Sequence, residues 1–140
     1  TRIGQWKIAI NLIFEKPYLG WGAAAFSVIY PLRTGLYHGH SHNLPLELAI
    51  NHGIIVSLLI NIFVFSLLIG SAYYGIFNKD NISKNSLYER AWFAAALILL
   101  CFHATDIPLF DSRINILGWI LLIGLRCIIL KPKIKYIESI

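Results

Sequence analysis

The chain has 140 residues, 57% of them hydrophobic and 14% charged, with a mean hydropathy of +0.66. An ordinary soluble domain carries about a quarter charged residues, so this composition excludes one and points to lipid as the solvent. The net charge of +5 does not signal nucleic acid, because the basic residues are dispersed and several flank apolar runs, where membrane topology accounts for them.

A start at Thr1 and the lack of methionine read as a segment of a longer protein, and the first twenty residues hold no continuous apolar stretch of a signal peptide. Ile3, Trp6, Ile10, Ile13 and Phe14 recur at helical spacing with Gln5, Asn11 and Glu15 between them. That pattern predicts an amphipathic helix lying on the membrane or on the rest of the protein, ended by Lys16-Pro17. Gly20-Trp21-Gly22 then asks for backbone freedom, and Trp6 and Trp21 read as interfacial anchors. A loop rich in Tyr, Gly and His leads to His42, after which Pro45 fits the first turn of a helix with Asn43 or a neighbour as N-cap, running on into a spanning helix.

That first span is expected at 53–77, which carries no charge. Residues 78–90 form a polar loop, and a second span covers about 91–110 if His103 and Asp106 face protein or water. Asp111, Ser112 and Arg113 make a tight connection to a third span at 114–130, where Arg126 snorkels, and Lys131, Lys133 and Lys135 close the run. Cys101 and Cys127 lack ligand spacing and read as small buried side chains. The expected fold class is all-α, a polytopic integral membrane protein fragment with three transmembrane helices plus an outer amphipathic helix and loop. Lys and Arg cluster at 78–90 and at the C-terminal end, so these are cytoplasmic, and residues 1–52 lie on the outer face.

His38-Gly39-His40-Ser41-His42-Asn43 is the most chemically loaded stretch. His42-Asn43, nine further residues, then Gly53 with Val56 three on resembles the signature of the O-antigen ligase-like superfamily. Arg2 with Trp6, and Pro17, Gly20, Gly22 and Phe26, are similar to the same family's upstream pattern. Val56 and Asn51 depart from it, which bears on subfamily more than on family.

The resemblance implies an inverting, metal-independent transfer of a glycan from a polyprenyl diphosphate to an acceptor sugar hydroxyl, at the outer face of a bacterial inner membrane, without a cofactor. Its partners would be that donor, a lipid-linked or glycan acceptor and membrane lipids. Departing diphosphate asks for a guanidinium, and Arg2 is the matching position. The acceptor hydroxyl asks for a proton acceptor, and His42 is the matching imidazole. Asn43 orients it or presents backbone N–H groups to phosphate, while Arg33, His40 and His38 are further candidates for holding sugar or phosphate. Glu47 reads equally as part of the site or as a polar residue at a helix entrance. Two alternatives stay open: a metal-binding or transport protein in which His38, His40 and His42 share one side of an extended strand, and bicarbonate-related transport.

Overall fold

The computed structural model describes residues 1–77 and 86–137, and every regular element among them is helical. The chain divides into two units, the first of Thr1–Ile62 with Phe102–Pro108, the second of the remaining described residues.

In the first unit, α1 (Arg2–Glu15) begins where Thr1 Oγ1 accepts the Gly4 N–H and ends at Lys16, just ahead of Pro17. Its buried face is not the expected stripe. Gln5, Ala9, Leu12 and Ile13 point inward, whereas Ile3 and Phe14 are 65% and 73% exposed. The small Ala9 on the inner face lets α1 lie close to α3 (Leu44–His52). A helix unforeseen in the sequence, α2 (Ala25–Thr34), completes the layer. Ala24 supplies no side-chain cap, so Asn51 Oδ1 takes the Ala25 N–H instead at 3.3 Å, and Gly35 closes the helix in the left-handed region. Fully buried Phe26 stacks on Tyr30 at 4.9 Å in a core shared with Ala9, Leu12 and Ile50.

The loop between α1 and α2 folds over the C-terminal end of α3. Trp21 N–H donates to Ile50 O (2.7 Å) and Gly22 N–H to Asn51 O (3.1 Å), satisfying carbonyls that the helix end leaves open. Close backbone approach is possible only because of two glycines. A Cβ on Gly20 would sit 2.6 Å from Ile50 O, and one on Gly53 would overlap the Tyr18 carbonyl. Gly53 has φ +88 and ψ 166, a conformation essentially restricted to glycine. It therefore separates α3 from α4 (Ile54–Ala72), and the expected continuous helix from Pro45 into the first span is two helices.

In the second unit a π-helical turn, Tyr73–Phe77, extends α4. Part of the expected 78–90 loop lies outside the described residues, and its last part is already α5 (Ser86–Phe102). A short 3-10 turn, Pro108–Phe110, precedes α6 (Ser112–Ile137), whose start Asp111 caps by accepting the Arg113 N–H at 2.9 Å. Trp92 donates its indole N–H to Leu121 O (3.0 Å), and Leu67, Leu68, Ala96, Leu121 and Leu125 form the core of this unit. Cys101 and Cys127 are exposed, not buried as expected.

Among the described residues two helices, Ile54–Phe77 and Ser112–Lys131, are long and apolar enough to cross a membrane, not three. With 22% and 17% of these stretches buried, most of their apolar surface faces outward. The 17 residues of α5 rise about 25 Å, less than the roughly 30 Å of a hydrocarbon core. It ends early because Phe102 O accepts the N–H groups of both Thr105 (3.1 Å) and Asp106 (2.8 Å) in a closing turn. Pro108 then disfavours helix at Ile107.

Candidate active site

The loop from His38 to Asn43 is fixed by buried polar contacts. Ser41 is fully buried, its N–H donating to Glu47 Oε2 (2.9 Å) and its hydroxyl to Asn43 O (3.1 Å). Trp6 donates its indole N–H to Ser41 O at 3.0 Å. Asn43 caps α3 by accepting the Leu46 N–H at 3.0 Å, as its place before Pro45 predicts. Between these anchors His42 takes φ +54, a left-handed conformation that costs a non-glycine residue about 1–3 kcal/mol and is kept only where the surroundings enforce it.

The enforcing partner is the turn after α5. Four consecutive residues of that turn each accept one hydrogen bond from the motif side. His103 O takes the Leu44 N–H (2.9 Å), Ala104 O the Asn43 Nδ2–H (2.9 Å) and Thr105 O the Arg2 guanidinium (3.0 Å). Asp106 Oδ1 lies 3.0 Å from His42 Nδ1. A carboxylate there favours the Nδ1–H tautomer, which leaves the Nε2 lone pair available.

Hydrogen bonds from the Ile107 N–H and then from His42 hold the Asp106 carboxyl below its ordinary value of 3.8. Burial, reinforced by His42, lowers His40 from its ordinary 6.5, with Asp106 and Glu47 opposing. The His40 and His42 rings meet edge to face at 4.3 Å, while His38 rests on Tyr30 at 5.3 Å. Glu47 is 2% exposed, and its Oε1 has no hydrogen-bond partner among the described residues.

Of the residues singled out from the sequence, Arg2, His40, His42, Asn43 and Glu47 come together around this loop. Arg33 is engaged elsewhere, in a doubly hydrogen-bonded pair with Glu15. Trp21, expected at the interface, donates its N–H to Leu12 O at 2.8 Å while Lys16 lies 4.0 Å from its ring. Asp106 gains a specific partner that its sequence position gave only as a hint, an acid at the end of an apolar run. Ser41, flanked by histidines, gave no signal.

The upstream pattern now has physical content: Arg2 and Trp6 fasten the histidine loop, Gly20 and Gly53 permit backbone contact, and Phe26 fills the core. No curated protein and no solved structure matches the chain. The family model described as O-antigen ligase matches residues 1–61. Proteins of that family are membrane proteins, which the two apolar helices fit. The matched stretch includes the histidine loop, in agreement with the motif spacing.

Proposed function

We propose that the chain is part of a glycosyltransferase that moves a glycan from a polyprenyl diphosphate to a sugar hydroxyl, with residues 1–52 at the outer face of the bacterial inner membrane. The observation that carries this reading is the His42 imidazole, held by Asp106 at 3.0 Å on the same turn that seats Arg2 through Thr105. The acceptor O–H loses its proton to His42 Nε2 as its oxygen attacks the anomeric carbon. The bond from that carbon to the phosphate oxygen breaks, and the diphosphate leaves with the electron pair. Among the described residues one Arg2 N–H is committed, to Thr105, so the exposed guanidinium retains donors for phosphate oxygens. Together the two side chains accept the proton and stabilise the leaving group, so this chemistry needs no metal.

The test is complementation of a strain lacking the gene, read as surface glycan on gels. Arg2→Ala and His42→Ala insert normally and abolish transfer, each by about a hundredfold or more in rate. Arg2→Lys is also poor, because it keeps the charge and loses the planar fork. Undiminished transfer by both alanine variants would remove the proposed roles. The glycan pattern of the deletion strain separates attachment to a lipid core from chain extension.

A further inference from the structure

We infer that His40, His42 and Asp106 form a binding site for one divalent transition-metal ion, of the zinc or copper type. One ligand atom from each lies within 4.8 Å of the other two. The closest pair, His42 Nδ1 and Asp106 Oδ1, is at 3.0 Å, and the two imidazoles are in edge contact at 4.3 Å between centroids. Ligands on one tetrahedral zinc, each at about 2.0–2.2 Å, are roughly 3.3–3.6 Å apart. A modest inward turn of side chains therefore closes the trio on an ion. Two imidazoles select zinc, copper or nickel over magnesium and calcium, which take oxygen ligands. Three protein ligands leave a fourth position for water or an oxygen of a ligand.

This set is not the one that alternation in the sequence suggests. With φ +54 at His42, residues 38–42 are not a continuous extended strand, and the His38 and His42 ring centroids are 6.4 Å apart. Asp106, from the turn after α5, takes the third place instead and adds the negative charge that a histidine-only set lacks.

The site stands on these three side chains, independently of glycosyl transfer. If the proposed transfer holds, an ion on His42 Nδ1 leaves the ring proton on Nε2, so that nitrogen no longer accepts one, and zinc acts as an inhibitor that a chelator reverses.

The experiment is calorimetric titration of the intact protein with Zn²⁺, after chelator treatment and in detergent, repeated with Co²⁺ by visible absorption. The expected result is one equivalent bound at micromolar concentration or tighter, with tetrahedral Co²⁺ bands. His40→Asn and Asp106→Asn, checked for native helicity, each weaken binding at least tenfold, and His38→Ala leaves it unchanged. Binding only at millimolar zinc, or binding that survives both His40→Asn and Asp106→Asn, overturns the site. Loss on His38→Ala equal to that on His40→Asn also overturns it. Tight binding by a protein that transfers no glycan even after chelator treatment would sink the proposed function and leave this site standing.

Discussion

His42 and Asp106 are 64 positions apart and meet at 3.0 Å, the carboxylate on the ring nitrogen that faces away from any substrate bonded to Nε2. The pair sits beside Arg2, whose guanidinium donates to Thr105, the neighbour of Asp106.

Replacing Asp106 by Asn keeps the size and removes the charge. An amide N–H offered to Nδ1 favours the opposite tautomer, which puts the proton on Nε2 and blocks its role as acceptor. Asp106→Asn is expected to lower transfer in membranes by about 10²-fold or more, within the range that general bases contribute. Donor binding, measured separately, stays close to wild type. A rate within twofold of wild type would show that the carboxylate does not act through His42.

Gly53 and Gly39 make a matched comparison. A Cβ at Gly53 overlaps the Tyr18 carbonyl at positive φ, whereas one at Gly39 meets nothing within 4 Å. Gly53→Ala therefore costs about 3 kcal/mol or more from strain and overlap together, read as a lowered Tm in detergent. Gly39→Ala leaves the Tm unchanged. Equal melting temperatures for the two variants would mean that the loop over α3 does not need close backbone contact.

Arg33 ties α2 to α1 through Glu15, and its double hydrogen bond holds the Glu15 carboxyl below its ordinary value of 4.5. A folded-state value below the unfolded one contributes stability that is present above about pH 4.5 and is lost as pH falls through the lowered value. Both side chains are substantially exposed, so the contribution is small. Arg33→Ala and Glu15→Gln are expected to have the same slight effect on melting near pH 7, and neither differs from wild type once Glu15 is protonated. Transfer lost in Arg33→Ala and kept in Glu15→Gln would instead place Arg33 on the substrate.

Orientation is open to chemical labelling. With Cys101 and Cys127 changed to Ser, a Gly39→Cys protein is expected to react in intact spheroplasts with a membrane-impermeant maleimide. Reaction only after lysis would put the histidine loop in the cytosol, away from an outer-face donor, and the proposed reaction would be withdrawn.

Local signals in the sequence anticipate local structure. Asn43 before Pro45 gives the start of α3, Lys16-Pro17 the end of α1, and the uncharged run from Gly53 the long α4. The element missed entirely, α2, has Pro31 inside it and an N-terminus capped by Asn51, from 26 residues further on. The far end of α5 was misjudged because hydropathy continues through residues that Pro108 and the Phe102 carbonyl turn out of the helix. At the site, the motif names Arg2, His42 and Asn43, yet it contains no hint that residues 103–106 hold all three. That contact is tertiary and spans a separation over which no periodicity operates.

A polypeptide ending at position 61 would possess every signature residue and would nevertheless lack the turn that holds its histidine loop. The strut that braces its histidine is delivered by a stretch beyond the recognisable motif. Natural or engineered shuffling of the downstream portion is therefore constrained at one short tetrapeptide, whose main-chain oxygens matter at three places and whose side chain matters at the fourth. Sequence drift is tolerated at the exposed Ala104 and Thr105, provided the backbone path is kept, while the buried His103 and the acid at the fourth place are the positions where exchange is felt.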